Sequence, residues 1–390
     1  MGINDALRII THGTAQVIPV ADLEKKLATQ RPLVVKFGID PTSTDLHLGH
    51  AVVLSKIKQL QDLGHKIIFL IGDFTARIGD PTGKSKTRPP LSKEQIRVNL
   101  QTYIDQVGRV LDRDKITIAF NSAWLEPLRF DDVIRLCSML TVARIIERDG
   151  FQKRLQAGTP IALHEMLYPM IQAYDSVALK ADIEMGGTDQ LFNMLMGRFL
   201  QEQHNMPAQV VIAMPLLEGL DGKQKMSKSL GNYIGLTEEP AQAFGKIMSI
   251  SDELMWRYYQ VLLGTADDEI ARMETSQQPK EHKKKLAYAI LERFWSPVEA
   301  QEAQKNFEAL FERKDYSQAQ KVALPVQSPI WIVDLLKHIG ALSSSSEAKR
   351  LIEAGAVHIN GETITDFKAE VTPAVGMNIK VGKHRIYQFE

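Results

Sequence analysis

The stretch LVVKFGIDPTSTDLHLGHAVVLSKIKQLQDLGHKIIFLI, residues 33–71, decides the fold. It begins with a mostly apolar run, residues 33–39, which ends in an Asp-Pro turn, as a buried strand does. From His47 the apolar residues recur at helical spacing, and a second apolar run, residues 67–71, follows the helix at once. Strand, loop, helix and strand in this order predict a βαβ unit. The fold class is therefore α/β, with parallel strands and a ligand site at their carboxyl ends.

Length and composition describe an ordinary globular chain of more than one domain. The 390 residues exceed twice the roughly 150 of a typical domain, and 44% hydrophobic with 24% charged residues excludes a disordered or fibrous chain. Because Lys+Arg 47 balance Asp+Glu 47, no global basic field indicates a nucleic-acid partner. The single cysteine, Cys137, excludes an intramolecular disulfide, and its apolar helical context predicts a core position. With no apolar run of membrane-spanning length and no signal-peptide pattern, the sequence predicts a cytoplasmic protein.

Beyond residue 71 the pattern divides the chain into parts. Strand-like runs recur at 116–120 and 209–214, and the helical stretches between them predict an insertion in the sheet domain. After Gly231 the periodicity is helical, until a proline-containing stretch that suits a linker precedes short strand-like pieces and turns. The predicted boundaries are 1–235 for the sheet domain with its helical insertion at about 121–200, 236–315 for an α-helical domain, 316–328 for the linker and 329–390 for a small α+β domain.

The motif His47-Leu48-Gly49-His50 stands at the predicted start of the first βαβ helix. Two imidazoles three residues apart share one helix face, where the backbone amides of the helix N-terminus also attract anions. Gly49 between them leaves room for a flat base or a ribose to approach the backbone. An isolated pair of this kind is more often two solvated histidines, but the combination is typical of a nucleotide phosphate cradle.

A second motif, Lys225-Met226-Ser227-Lys228-Ser229, lies in a glycine-punctuated loop, residues 221–231. Two lysines and two hydroxyls in a mobile loop suit closure over a triphosphate, where they add positive charge as negative charge develops. Alone, such a pentapeptide is usually a solvated loop. In this order, and with an α/β domain between them, the two motifs are highly specific for nucleotide chemistry.

With both motifs the chain resembles the class I aminoacyl-tRNA synthetases, whose two signature sequences match HLGH and KMSKS. The segments YPMIQAYD, residues 168–175, and GGTDQ, residues 186–190, are similar to those of the tyrosyl enzymes, and residues 328–389 resemble the small S4 RNA-binding domain of their bacterial members. The resemblance implies a Rossmann-like catalytic domain that ligates L-tyrosine to tRNA(Tyr) with ATP and accompanying Mg2+. It also implies a homodimer with the helical insertion at its interface.

The resemblance also assigns roles to residues of this sequence. It implies that the ATP phosphates lie against Thr42, His47 and His50, with Lys225 and Lys228 stabilising the transition state. It implies that the ribose and adenosine approach Gly38, Gly187 and Asp189. The amino acid is expected against Asp40, Asp80, Tyr168, Gln172 and Gln190, with Asp175 accepting a hydrogen bond from the phenol. No metal ligands of the protein's own are predicted.

At one position the chain departs from the family pattern. The family commonly has a tyrosine two residues before the glycine of the first strand, where its hydroxyl touches the substrate phenol, and here that residue is Lys36. A site built to hydrogen-bond a hydroxyl strongly rejects an analogue that lacks it, and tyrosyl-tRNA synthetases are themselves the standard example. In this chain Asp175 would have to supply much of that selection.

Two other functions stay open on the sequence. A ligase for tryptophan, whose enzymes are nearest in fold, is kept open by Lys36. The arrangement of Tyr168, Gln172 and Asp175 and the C-terminal RNA-binding domain weigh against it. The second alternative is a non-catalytic RNA-binding paralogue, and the intact HLGH and KMSKS motifs weigh against this function. The stretch at 79–85 looks like a P-loop, but it has three residues rather than four between its glycines, so that no P-loop is predicted.

Overall fold

A computed structural model of the chain describes residues 2–41, 45–81, 102–276, 278–313, 319–325, 328–342, 344–382 and 385–390. The chain divides into two compact units, Met1–Thr237 with Arg257–Asp267, and Glu238–Trp256 with Asp268–Glu390. The further division of the second unit into a helical domain and a small C-terminal domain stays a prediction. No helix in the described part of the chain is long and apolar enough to cross a membrane.

A six-stranded sheet of order β1-β6-β5-β2-β3-β4 forms the centre of the first unit. Its strands are β1 Gln16–Ile18, β2 Val34–Ile39, β3 Lys66–Ile71, β4 Ile116–Phe120, β5 Ile183–Gly187 and β6 Val210–Met214. Strands β2 to β6 are parallel, and β1 pairs antiparallel with β6 at one edge. The predicted α/β class is confirmed. Since the strand order changes direction between β2 and β5, the crevice at their carboxyl ends is where such a sheet binds ligands.

The helices of the first unit include the predicted βαβ helix. They are α1 Ile3–Thr11, α2 Val20–Ala28, α3 Leu48–Asp62, α4 Ser122–Leu125, α5 Phe130–Ser138, α6 Val142–Ile146, α7 Asp149–Gln156, α8 Leu163–Ala178 and α9 Leu191–Gln203. Helix α3 begins directly after His47, and its apolar stripe, including Val52, Ile57 and Leu60, is buried. It ends before Gly64, whose φ of 85° suits the left-handed position after a helix.

The predicted helical insertion is wrong at its end, because residues 121–200 contain β5 and most of α9. The sequence of β5, IEMGG, has a carboxylate and two glycines and therefore lacks the apolar run of a buried strand. Parallel pairing with β2 on one side and β6 on the other holds it in the sheet. The core position predicted for Cys137 is also wrong, since its side chain is exposed on α5.

The described residues between 240 and 312 are mostly helical, as the periodicity predicts. Their helices are α10 Pro240–Ser249, α11 Asp252–Tyr258, α12 Asp267–Thr275, α13 Pro279–Phe294 and α14 Pro297–Phe307, with π-helical turns at Tyr259–Leu263 and Glu308–Glu312. The turn Tyr259–Leu263 and the adjoining ends of α11 and α12 belong to the first unit, and the rest belongs to the second. The C-terminal part has α15 Ile332–His338 and α16 Ser345–Glu353, with strands β7 Gln320–Val322, β8 Ile330–Trp331, β9 Val357–Ile359, β10 Glu362–Ile364, β11 Glu370–Val371, β12 Asn378–Val381 and β13 Arg385–Phe389.

Part of the predicted linker belongs to the C-terminal sheet. Strand β7 lies within the predicted linker, residues 316–328, and pairs in parallel with the end of β13. Three residues are too few for an alternating pattern to appear in the sequence. The strand instead forms because the backbone of β13 offers it hydrogen-bond partners across 67 residues of chain.

Candidate active site

A cleft of about 770 Å³ opens at the carboxyl ends of β2 and β5, where the sheet topology places a ligand site. The N-terminus of α3, the inner face of α8 and the loop that carries the KMSKS motif complete its walls. The predicted site residues that line it are Gly38, Asp40, His47, His50, Asp80, Tyr168, Gln172, Asp175, Gly187, Asp189, Gln190, Lys225 and Lys228. Thr42 lies outside the described residues.

The two histidines of HLGH contact each other at the start of α3. Their ring centroids are 4.0 Å apart, and the backbone N–H of His47 donates to His50 Nδ1 at 3.2 Å. A Cβ atom on Gly49 would lie 3.0 Å from the His47 ring and 3.6 Å from Met226 Cβ. A side chain at this position would therefore be tight against the His47 ring, which would have to shift slightly, whereas its distance from Met226 is an ordinary contact.

Both histidines are neutral at physiological pH. Burial, with the nearby His50 and Lys225, lowers the pKa of His47 to about 2. Burial also lowers the pKa of His50 to about 4, against the opposing effect of Asp189. Since His50 Nδ1 accepts a hydrogen bond, its proton lies on Nε2, which is a hydrogen-bond donor suited to a phosphate oxygen.

We expect this histidine pair to make the fold acid-sensitive. The folded pKa values lie below the unfolded value of about 6.5, so the unfolded chain binds more protons and stability falls as the pH drops below 6.5. From pH 6.5 to about 5 the loss should be about 1 to 2 kcal/mol per histidine. Thermal unfolding should show this loss in the wild type and much less of it in His47→Asn/His50→Gln. The control His164→Gln, which removes an exposed histidine, should behave like the wild type.

The KMSKS loop is held against the start of α3 by backbone pairing. The N–H of Leu48 donates to Ile234 O at 3.0 Å, and the N–H of Leu236 donates to Leu46 O at 2.9 Å. Lys225 Nζ lies 2.6 Å from Oδ2 of Asp189, a residue that follows β5 in the chain, and Lys228 forms an ion pair with Asp45. The two motifs, about 180 residues apart in the chain, thus place two ammonium groups and two imidazoles along one wall of the cleft.

Carboxylates and amides line the opposite part of the cleft. Asp40, after β2, accepts hydrogen bonds from Tyr168 and from Thr75, both at 2.7 Å. Asp80 accepts from Gln190 Nε2 at 2.8 Å and forms an ion pair with Arg148 at 3.2 Å. Such fixed carboxylates suit the ammonium group of an amino acid.

Gln172 and Gln190 are joined through Asn193. The Asn193 amide donates to Gln172 Oε1 and to Gln190 Oε1, each at 3.0 Å. Their position is set by the packing of α8 against α9, from which Gln172 and Asn193 extend. The arrangement fixes which way both side-chain amides point, so that they present defined hydrogen-bonding groups to a bound substrate.

Asp175 lies at the closed end of the cleft. Its carboxylate accepts hydrogen bonds from Trp124 Nε1 at 2.8 Å and from Asn121 Nδ2 at 3.3 Å. Burial raises the pKa of Asp175 to about 7, although Lys36 and the two hydrogen bonds act to lower it. An acceptor buried this deeply suits a single polar group on an otherwise apolar ligand.

Comparison with known proteins identifies the family. The model of the class I tRNA synthetases for tryptophan and tyrosine matches residues 28–312, and that of the S4 domain matches residues 330–375. A tyrosine–tRNA ligase of Aquifex aeolicus is 49% identical over 384 residues, 98% of each chain. One of Francisella tularensis is 49% identical over 387 residues, also 98% of each chain. This chain is a class I tRNA synthetase.

Solved structures agree on the fold of this synthetase. A tyrosyl-tRNA synthetase of Archaeoglobus fulgidus, solved with L-tyrosine, matches with a TM-score of 0.62 at 23% identity, over 78% of this chain and 100% of that chain. A C-terminally truncated mitochondrial tyrosyl-tRNA synthetase of Aspergillus nidulans matches with a TM-score of 0.64 at 20% identity, over 79% of this chain and 94% of that chain. At this level of identity the likeness concerns the fold.

In and around the synthetase cleft, side chains that the sequence patterns did not single out hold the cleft residues in place. Thr75 and Asn121 support Asp40 and Asp175, Arg148 supports Asp80, and Trp124 reaches Asp175 from α4. Asn193 follows Gln190 by three residues, a spacing that could have suggested a shared helix face. The other four belong to no motif, and only the folded chain brings them to the cleft.

Proposed function

We propose that this synthetase is a tyrosine–tRNA ligase, which activates L-tyrosine with ATP and transfers the tyrosyl group to the 3' end of tRNA(Tyr). The observation that carries the proposal is Asp175, a buried hydrogen-bond acceptor at the closed end of the cleft. A phenol hydroxyl is a hydrogen-bond donor that suits such an acceptor. The names of relatives 49% identical over nearly the whole chain support the same substrate.

The chemistry needs positioning and charge rather than a protein nucleophile. The carboxylate of tyrosine, ionised at neutral pH, attacks the α-phosphorus of ATP, and the bond to pyrophosphate breaks. The terminal 2'-hydroxyl of the tRNA then attacks the carbonyl of the mixed anhydride, and AMP leaves. Mg2+ would enter bound to the ATP phosphates, since this ion usually keeps its ligands among phosphates and water.

The cleft offers each reacting group a partner. His47 and His50 would donate neutral N–H groups to the ATP phosphates, and Lys225 and Lys228 would stabilise charge on the leaving pyrophosphate. The adenosine would lie over the backbone at Gly38 and Gly187, with Asp189 at the ribose. A Cβ on Gly187 would lie 2.6 Å from Asp189 Oδ1, so that a side chain there would displace this carboxylate.

The amino acid would lie with its ammonium group towards one set of side chains and its phenol towards another. The ammonium group would lie among the carboxylates of Asp40 and Asp80, to which Tyr168 and Gln190 donate hydrogen bonds, and the amide of Gln172, which Asn193 holds. The phenol would reach Asp175. Tryptophan stays the second candidate, because the matching family model covers both amino acids and an indole N–H could also donate to Asp175.

Pyrophosphate exchange with each amino acid in turn tests the proposal. We expect tyrosine to be the preferred substrate, with a kcat/KM for exchange far above the low value for phenylalanine, and no exchange with tryptophan. Exchange with tryptophan alone would replace the proposed substrate, and the absence of exchange with any amino acid would favour a non-catalytic paralogue. Charging of tRNA(Tyr) transcripts then tests the second step.

We also propose a homodimer that forms through the helices between β4 and β5. These helices expose large apolar side chains, and such patches usually mark an interface. Phe130 and Leu163 are each 80% exposed, and Ile134, Val142 and Leu155 are at least half exposed. A cytoplasmic location stays a prediction.

Phe130→Glu/Leu163→Glu should weaken association by on the order of 10² or more, because it would bury unpaired charges at the interface. Sedimentation velocity should find a dimer for the wild type and a monomer for this variant. Modification of Cys137 by a thiol reagent should become faster, since this exposed residue shares α5 with Phe130. Val375→Glu, at a residue 70% exposed in the second unit, is the control and should stay dimeric. A monomeric wild type would contradict the proposal.

A further inference from the structure

A buried ion pair lies beneath the amino-acid end of the cleft. Lys36 on β2 is 0% exposed and Glu184 on the neighbouring strand β5 is 2% exposed. Lys36 Nζ is 2.9 Å from Glu184 Oε1. Taking two charges out of water is costly, and such a pair is often no more stable than an apolar replacement. Its presence at the floor of a binding site therefore calls for a role other than stability.

Lys36 is bonded to the helix turn that carries Asp175. Its ammonium group donates to Ser176 Oγ at 2.8 Å and to the backbone carbonyl of Gln172 at 3.3 Å, both on α8. Ser176 in turn donates to Glu184 Oε2 at 3.0 Å. The ammonium group is thereby held beside Asp175, the residue at the closed end of the cleft.

The charges at this end of the cleft depend on Lys36. Among the described residues that line the cleft, three lysines are found, and the other two, Lys225 and Lys228, lie at the KMSKS wall. Three titratable groups surround Asp175: Lys36 on β2, Glu184 on β5 and Tyr168 on the same helix as Asp175. Trp124 and Asn121 are neutral and donate hydrogen bonds to its carboxylate. Lys36 lowers the pKa of Asp175 and Glu184 raises it.

We propose that Lys36 is a positioning residue for the substrate side chain: its buried ammonium group favours the charged form of Asp175, the form that accepts the hydrogen bond of the phenol. The inference rests on the proposed tyrosine–tRNA ligase function. Where the family commonly places a tyrosine hydroxyl against the phenol, this chain has a lysine whose charge acts on Asp175.

The test follows kcat/KM for tyrosine and for phenylalanine in pyrophosphate exchange over roughly pH 5.5 to 8.5, which brackets the pKa of about 7 for Asp175. The wild-type kcat/KM for tyrosine should fall as the pH drops, with the midpoint of the fall at the pKa of Asp175. The kcat/KM for phenylalanine, which has no hydroxyl, should stay level. The cleft histidines, with pKa values of about 2 and about 4, titrate below this range.

Two variants of the ion pair should move the midpoint in opposite directions. Lys36→Met should raise it by about one pH unit and Glu184→Gln should lower it by about the same amount. At pH 7, Lys36→Met should lose about fivefold in kcat/KM for tyrosine, because the charged fraction of Asp175 falls from about one half to about one tenth, and it should lose little for phenylalanine. A purely structural role would weaken both variants alike, without opposite shifts.

The double variant Lys36→Met/Glu184→Gln covers the case in which a single variant fails to fold, because it removes both charges of the pair and leaves neither Lys36 nor Glu184 buried without its partner. Its midpoint should lie above that of Glu184→Gln, and the difference isolates the loss of Lys36. Lys26→Met is the matched control, because it removes a lysine from a largely buried pair with Asp182, 3.1 Å long and outside the cleft. It should lower stability and leave the midpoint unchanged.

If Lys36→Met and Glu184→Gln still exchange with tyrosine but their midpoints do not move, or move in the same direction, the role of Lys36 is overturned and the proposed function stays intact. A wild type without tyrosine exchange would overturn both. The two failures are therefore distinguishable from the same set of measurements.

Discussion

Lys228→Ala should slow formation of the tyrosyl adenylate by on the order of 10² or more while leaving tyrosine binding nearly unchanged. In the structure Lys228 lines the cleft and pairs with Asp45, and it is one of the two ammonium groups on the KMSKS wall. Its charge matters most when the bond to pyrophosphate breaks and negative charge moves onto the leaving group. Single-turnover adenylation, with tyrosine binding measured separately at equilibrium, separates the two effects.

Lys223→Ala is the matched control for this experiment. Lys223 belongs to the same loop and is exposed, but it does not line the cleft. Its loss should leave adenylation within about twofold of the wild type, as for most surface substitutions. A normal single-turnover rate in Lys228→Ala would contradict the role given to Lys228.

The second large effect is expected from Asp175→Asn. The change keeps the shape of the side chain but replaces a charged acceptor by an amide, and a hydrogen bond to a charged group contributes about 1.5 to 3 kcal/mol. We therefore expect kcat/KM for tyrosine to fall by roughly 10- to 100-fold. The value for phenylalanine should change little, so that the ratio of the two reports the loss of phenol recognition.

Asp73→Asn separates this effect from general damage. Asp73 follows β3 and accepts hydrogen bonds from the N–H and hydroxyl of Ser122, but it does not line the cleft. Its substitution should leave the tyrosine-to-phenylalanine ratio unchanged. An unchanged ratio in Asp175→Asn would remove Asp175 from phenol recognition and reopen the question of the amino acid.

Local patterns predicted those parts of the fold in which neighbouring residues decide the conformation. The βαβ unit at 33–71 is one example, because apolar periodicity and a terminating glycine act within one element. Strand β5 is the counterexample, since IEMGG has no strand pattern and its place is decided by β2 and β6 on either side. Cys137 is another, because an apolar helical context does not reveal which face of a helix has a neighbour.

The candidate site divides in the same way. The family resemblance of HLGH, KMSKS and the segments at 168–175 and 186–190 named many of the polar side chains that line the cleft from sequence. The side chains that hold them, such as Trp124, Asn121 and Arg148, have no motif of their own. A supporting residue only has to reach its partner in space, so its spacing along the chain carries no signal.

By itself, the sequence determined the α/β class and the nucleotide chemistry of this synthetase, because helix periodicity, strand runs and contiguous motifs are written in neighbouring residues. Only the tertiary structure decided how Lys36 is used. In sequence it is a lysine where a tyrosine is common, and in the fold it is a buried cation bonded to Glu184 and to the turn of Asp175. The state of a buried charge depends on every group around it, and those groups come together only when the strands and helices pack.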